Sequence, residues 1–261
     1  MSPVDLMSLL KPCVLRAGRQ ILKIYENSPA FSIKEDGSPV TDADKESEEI
    51  ILSSLKKIAP DVEVISEEDN LSHGKLPPER FFLVDPLDGT KEFVNKNGAG
   101  SFTVNIALIE NRSPVMGIVY APALKRYFCG SVSHGAWELS NGLEKQIRSA
   151  KSVSNRTVAV ASRSHMDEKT KKWLLKRDIT DTISIGSSLK FCLVANGEAD
   201  VYPRFSPTME WDTAAGDAIL RSAGGIVTAE NDSVFVYGKH NYVNGPFIAW
   251  GKRQVRKSRS Y

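Results

Sequence analysis

The hexapeptide Asp85-Pro86-Leu87-Asp88-Gly89-Thr90 holds the densest chemistry in the chain. It follows the apolar run Phe81 to Val84, so Asp85 leaves a buried strand just ahead of a proline that keeps it extended, and Asp88 comes one turn later. Two carboxylates then converge on one point. Gly89 permits close approach of the backbone, and Lys91-Glu92-Phe93 reads as helical, which sets the Gly89 and Thr90 amides at a helix N-terminus suited to phosphate. The competing reading is a capped turn, because Asp-Gly is common in turns. Two more acidic segments stand elsewhere: Ser66-Glu67-Glu68-Asp69 after the run Val62 to Ile65, and Glu210-Trp211-Asp212 ahead of Thr213-Ala214-Ala215-Gly216. Alone, the first is an ordinary solvated loop and the second a helix cap. Together the three place carboxylates at the ends of separate elements, where α/β folds build sites. Glu67, Asp85, Asp88 and Asp212 in one cleft would repel one another unless cations intervened. Oxygen donors without paired histidines or cysteines select Mg²⁺ or Mn²⁺ over zinc, with substrate phosphate oxygens completing an octahedral shell.

The elements that must carry these residues are readable from the periodicity. Ser2-Pro3 opens a helix, with Leu6, Leu9, Cys13, Ala17, Ile21 and Ile24 as its apolar stripe and Pro12 expected to kink or divide it. A second helix is predicted from near Thr41, with Ile50, Ile51, Leu55 and Ile58 on its apolar side and Pro60 after its end. Strands follow at short spacing: Val62 to Ile65, Phe81 to Val84, Phe102 to Ile109, Val115 to Tyr120, Tyr127 to Val132 and Ala136 to Leu139. Beyond Lys151, a strand (Val158 to Ala161) alternates with helical segments near Asp167 to Lys176, Leu189 to Ala195 and Trp211 to Ala223. The fold class is therefore α+β. Residues 1–150 are expected to form a domain of two helices on a large, mostly antiparallel sheet, and residues 151–261 a smaller α/β unit.

Composition restricts the setting. The chain has 261 residues, 41% hydrophobic and 25% charged, as an ordinary globular protein has. No run approaches the roughly 20 apolar residues that span a bilayer, and no basic-then-apolar leader opens the chain, so a cytoplasmic location is expected. Cys13, Cys129 and Cys192 are odd in number, widely spaced and read as free thiols. The net charge of +2 hides a local excess: Gly251 to Tyr261 carries five basic residues and no acid, leaving 29 basic against 32 acidic residues elsewhere. Such a tail offers a weak contact with an anionic membrane surface at its inner face. No nucleic-acid partner is expected, and the composition leaves monomer and homodimer open.

Glu67-Glu68, Asp85-Pro86-Leu87-Asp88-Gly89-Thr90 and Trp211-Asp212-Thr213-Ala214-Ala215-Gly216, in this order, resemble the signature motifs of the inositol-monophosphatase superfamily, and the likeness spans nearly the whole chain. The resemblance implies a layered αβαβα sugar-phosphatase-like fold and a lithium-sensitive, magnesium-dependent phosphatase. It implies Glu67, Asp85, Asp88, Asp212 and the Leu87 carbonyl as ligands of two or three Mg²⁺ ions, with Mn²⁺ as a substitute. It implies Thr90 as a group that orients the attacking water, with Glu67 beside it. Asp42, in Val40-Thr41-Asp42-Ala43-Asp44, matches the acidic position that supports a further metal or receives a proton.

The second half resembles the bacterial 3'(2'),5'-bisphosphate nucleotidase branch through Gly186-Ser187-Ser188-Leu189-Lys190-Phe191-Cys192, Ala199-Asp200-Val201-Tyr202-Pro203-Arg204 and Pro207-Thr208-Met209. That likeness implies adenosine 3',5'-bisphosphate as the small-molecule substrate, with sulfur assimilation or nucleotide recycling as its setting. Lys190 and Arg204 suit a second phosphate. Ser162 and His165 match positions that line a nucleotide pocket. Gly186, Ser187, Gly89, Thr90, Leu87, Asp88, Glu67 and Asp212 complete the expected substrate contacts. Lys190 has a plainer reading, a lysine that snorkels to solvent along its helix. Three alternatives stay open: an inositol monophosphatase or other sugar phosphatase, a non-catalytic nucleotide or metal sensor, and a phosphatase of the haloacid-dehalogenase type. The last separates its two aspartates by one residue, whereas Pro86 and Leu87 make it two here.

Overall fold

The computed structural model describes residues 1–27, 31–34, 39–74, 76–96, 100–149, 157–162 and 167–251. His165 and the basic tail from Lys252 onward lie outside the described residues, and with them the expected membrane contact. Among the described residues, no helix is long and apolar enough to cross a membrane.

Helix α1 (Pro3–Glu26) starts at a reciprocal capping box between Ser2 and Asp5. It runs undivided through Pro12. Pro12 and Ser8, whose carbonyl loses its helical partner there, are both exposed, so water can take the free carbonyl. Strands β1 (Phe31–Ile33) and β2 (Pro39–Thr41) form a short antiparallel hairpin. Helix α2 (Asp42–Ile58) starts at a second capping box, Thr41 with Asp44. Leu6, Leu10, Val14, Ala17 and Ile21 of α1 and Ala43, Ile51 and Leu55 of α2 are buried in one core. Leu9, expected in the stripe, is 48% exposed; Leu10 and Val14 occupy the buried side instead.

That core is closed by a seven-stranded sheet of β3 (Glu63–Ser66), β4 (Arg80–Asp88), β5 (Thr103–Glu110), β6 (Ser113–Ala121), β7 (Arg126–Ser131), β8 (Gly135–Ser140) and β9 (Leu143–Ile147), in that spatial order. β3 runs parallel to β4, and all other neighbours are antiparallel. A short helix, α3 (Thr90–Asn95), follows β4. Both faces are covered: Phe82, Val84, Val104 and Ile106 pack toward α1 and α2, while Phe81, Leu83, Val119 and Phe128 pack into a second core. Continuous apolar runs follow from that double burial. The turn into β9 is Asn141-Gly142, both with positive φ, the two-residue geometry that matches strand twist.

The second half supplies β10 (Val158–Ser162), α4 (Glu168–Leu175), β11 (Asp181–Ile185), α5 (Leu189–Ala195), β12 (Val201–Arg204), β13 (Thr208–Met209), α6 (Ala214–Ser222), β14 (Ile226–Ala229), β15 (Val243–Asn244) and β16 (Phe247–Trp250). Five of the strands form a sheet in the order β11-β10-β12-β16-β14, and β13 pairs with β15 in a ribbon. Helices α5 and α6 lie between the two sheets, with Phe191, Ile219 and Leu220 in the core that also holds Phe81 and Val119 on one side and Val160, Tyr202 and Phe247 on the other. Leu174 of α4 covers the outer face with Ala159, Val201 and Ile248. The layers therefore run αβαβα, as the resemblance implies. Contact across the middle is close: a Cβ placed on Gly117 of β6 would lie 2.2 Å from the Ala215 carbonyl oxygen of α6. Cys13 and Cys192 are buried, Cys129 is half-buried, and all three are free.

Candidate active site

The last residues of β4 are bulged. Asp85 pairs with Asn105 but Asp88 pairs with Thr103, so four residues of β4 face three of β5. In a regular strand, residues three apart point to opposite faces; the extra residue turns Asp85 and Asp88 to one side. The bulge is held locally. The Leu87 amide donates to Asp85 Oδ1 at 3.1 Å, and the Ser47 hydroxyl donates to the Pro86 carbonyl at 2.8 Å. Glu67 arrives from the end of β3, its amide bonded to the Val84 carbonyl, and Asp212 from the turn before α6, where its carboxylate accepts the Met209 amide at 2.9 Å.

Carboxylate oxygens of Glu67, Asp85 and Asp212 lie within 4.8 Å of one another. Asp88 stands beside them, accepting the Ser188 amide at 2.6 Å and lying 2.9 Å from the Ser188 hydroxyl. Burial pushes all four carboxyls up, and neighbouring acids push three of them further: Asp85 and Asp212 well above the usual range, Glu67 to about 7. Asp85 Oδ2 is buried and has no hydrogen-bond partner among the described residues. An orphaned carboxylate oxygen among mutually repelling acids is a site that fits a hard cation, and the all-oxygen donor set fits magnesium. Lys34 supplies part of the missing positive charge, with Nζ at 3.1 Å from Glu67 and 2.5 Å from Glu68.

Gly89 takes a positive φ of 92° as the cap of α3, and Thr90 begins that helix. Thr90 Oγ1 lies 3.1 Å from Asp44 Oδ1 and 3.0 Å from the Leu87 carbonyl. The acid against Thr90 is thus Asp44, whereas Asp42, expected from the sequence, is exposed at the start of α2 and does not line the cleft. Two residues along a helix is about 200° of rotation, so only one of the pair can face the site. Burial raises the Asp44 carboxyl to about 6.

At the carboxylates opens a cleft of about 800 Å³, open solvent included, lined by Gly89, Thr90, Glu92, Gly186, Ser187, Lys190, Tyr202, Arg204 and Asp212 among others. Lys190 does not snorkel. It is 6% exposed, donates to the Ser187 carbonyl at 2.5 Å and lies over the Tyr202 ring. Burial lowers its ammonium to about 8 against the pull of Asp88. Arg204 is held by the Ser206 and Pro207 carbonyls. Ser162 ends β10 opposite Ile185, one residue before Gly186.

The profile described as the inositol monophosphatase family matches residues 6–259. The chain belongs to this family. Relatives include the 3'(2'),5'-bisphosphate nucleotidase CysQ of Salmonella typhimurium, 46% identical over 218 residues that cover 80% of this chain and 84% of that one. The CysQ of Buchnera aphidicola is 41% identical over 240 residues, 89% of each chain. The crystal structure of CysQ from Bacteroides thetaiotaomicron superposes with a TM-score of 0.81 at 39% identity, covering 96% of this chain and 98% of that one.

Asp44, Ser188, Asn105 and Lys34 are among the contributors to the site that the sequence does not single out. Asp44 had a signal, the Thr-x-x-Asp spacing of a capping box that fixes its side chain inward. Ser188 and Asn105 had none, because their roles arise from α5 and β5 meeting at Asp88; Asn105 Nδ2 donates to Ser188 Oγ at 2.8 Å.

Proposed function

We propose that the chain is a magnesium-dependent 3'(2'),5'-bisphosphate nucleotidase that hydrolyses adenosine 3',5'-bisphosphate to AMP and phosphate. The observation that carries this reading is one cleft lined both by the acids Glu67, Asp88 and Asp212 and by the buried Lys190 with Arg204. The first suits a cation-bound phosphate about to be cleaved, the second a phosphate that stays. The CysQ relatives named above support the same substrate class.

Glu67, Asp85, Asp88, Asp212 and the Leu87 carbonyl would hold the magnesium, and their number suits two or three ions, with manganese sharing the oxygen preference. Bound there, the metal supplies Lewis-acid activation and neutralises phosphoryl charge. The chain's own groups handle the proton. The Thr90 hydroxyl can pass its hydrogen toward Asp44 Oδ1 while its lone pair receives one from the attacking water, and an acid raised to about 6 accepts a proton readily near neutral pH. Lys190 and Arg204 orient the retained phosphate by charge-assisted bonds. Gly186 and Ser187 line the cleft, and Ser162 pairs along its strand with Ile185, the residue before Gly186.

Phosphate release from adenosine 3',5'-bisphosphate, its 2',5' isomer and inositol monophosphate, each with Mg²⁺ and after chelation, tests the proposal. Metal-dependent turnover that favours a bisphosphate is the expected result. Preference for inositol monophosphate would make the chain a sugar phosphatase instead, and binding without release would make it a sensor.

A further inference from the structure

Glu67 and Asp212 come from parts of the chain that share no secondary structure. Glu67 sits in the loop that leaves β3, an edge strand of the large sheet, while Asp212 sits in the turn between β13 and α6. The loop beyond Glu67 folds back on itself. Ser66 O accepts the Asp69 amide at 3.2 Å, and the Ser66 amide donates to Ser72 Oγ at 3.2 Å, which returns the chain to His73 beside its own start. His73 Nε2 then lies 2.7 Å from the Ser66 carbonyl. A carbonyl only accepts, so Nε2 carries a proton there. The same ring stacks on Trp211, with centroids 4.7 Å apart and planes 21° from parallel. Trp211 is 4% exposed, and behind both rings stands Tyr242, whose carbonyl accepts the Glu210 amide at 2.8 Å.

Ser66 immediately precedes Glu67, and Trp211 immediately precedes Asp212. One imidazole therefore grips the backbone beside one carboxylate and the side chain beside the other. We infer that His73 is a positioning residue that clamps the Glu67 loop to the Asp212 segment and so sets the spacing of these two carboxylates for the divalent cation. Glu67, Asp85 and Asp212 repel one another, and this tie resists that repulsion across the two segments, where the bonds of Glu67 to Val84 and Lys34 do not reach Asp212. Groups that orient metal ligands from behind commonly carry about 10- to 100-fold of affinity, and here the group acts through the backbone next to the ligand.

The inference rests on the metal reading above, so the experiment measures Mg²⁺ binding itself. Calorimetric titration of Mg²⁺ into the full, metal-stripped chain is compared for wild type, His73→Ala, His73→Phe and His73→Gln, with thermal unfolding of each alongside. His73→Ala should weaken binding by about tenfold or more. His73→Phe keeps the stack and His73→Gln keeps a donor, so each should recover part of the loss. Leu10→Ala, which thins the core under α1, should lower the unfolding temperature and leave the dissociation constant unchanged. If His73→Ala does not fold, the Phe and Gln variants decide, since each removes one of the two contacts. Dissociation constants within about twofold of wild type in the folded His73 variants would overturn the clamp while leaving the metal site standing. A wild-type chain that binds no Mg²⁺ would overturn both.

Discussion

Replacing Asp85 by asparagine should make the metal-free protein more stable and the enzyme inactive. Asp85 is 1% exposed, and its oxygens lie within 4.8 Å of those of Glu67 and Asp212. At that separation two full charges at an effective dielectric of about 20 repel by about 3.5 kcal/mol. Proton uptake relieves part of it, since burial already holds these carboxyls protonated above their usual range. About 2–3 kcal/mol is then released when the charge is removed, or roughly 4–12 °C in unfolding temperature for a chain of this size. The asparagine carbonyl can keep the bond from the Leu87 amide, and the new NH₂ takes the place of the unpartnered Oδ2, where it can donate to its acidic neighbours. The assay is thermal unfolding in EDTA and in Mg²⁺, with turnover measured on the same samples. Asp85→Asn should unfold at higher temperature than wild type in EDTA, gain little from Mg²⁺ and lose several orders of magnitude in turnover. A variant less stable than wild type in EDTA, yet stabilised by Mg²⁺ to the same extent, would refute the account of the cluster as a cation site built on repulsion.

Lys190→Met keeps the buried stem and removes the charge, so kcat/KM for the adenosine bisphosphate should fall by ~1.5–3 kcal/mol, with a monophosphate much less affected. Equal losses on both substrates would assign Lys190 to the scaffold. The pH dependence follows from Glu67, raised to about 7 from 4.5, and Asp44, raised to about 6 from 3.8. The folded state binds these protons more tightly than the unfolded one, so in EDTA stability should be highest near pH 4 and fall as pH rises through about 7. Saturating Mg²⁺ should flatten that fall, as unfolding scans across pH would record. Gly117→Ala would drive a methyl to 2.2 Å from the Ala215 carbonyl, more than 1 Å inside contact, and should cost about 2–4 kcal/mol by denaturant titration while lowering turnover through displacement of α6.

The fold was legible where the local signal and the tertiary role agree. The capping boxes of Ser2 and Thr41 marked both N-terminal helices, and the runs Phe81 to Val84 and Phe102 to Ile109 are strands because both of their faces are buried. Strand β9 was missed because Leu143-Glu144-Lys145-Gln146 is an exposed edge whose pairing comes from the Asn141-Gly142 turn rather than from apolar alternation. β13, β15 and β16 are two to four residues long, too short to show a period. The acidic motifs at Glu67, Asp85, Asp88 and Asp212 could be read as a converging set. The means of convergence could not, since it is a one-residue bulge and a parallel pairing of β3 with β4. Asp42 came from the resemblance, whereas the phase of the helix turns Asp44 toward Thr90.

The placement of α6 between two sheets has a consequence for how the protein matures. Seven consecutive residues, Ala214 to Leu220, are buried, so this helix has no solvent side to rest on before both sheets exist. Asp212 at its head and Glu67 at the edge of the first sheet are separated by more than half of the chain. Closing so long a loop is entropically slow, and contacts of that separation form late. A chain emerging from synthesis therefore carries Glu67, Asp85 and Asp88 for some time before Asp212 arrives. An early product that ends before α6 would hold an incomplete set of ligands, which ties the appearance of catalytic power to the last long-range step of folding.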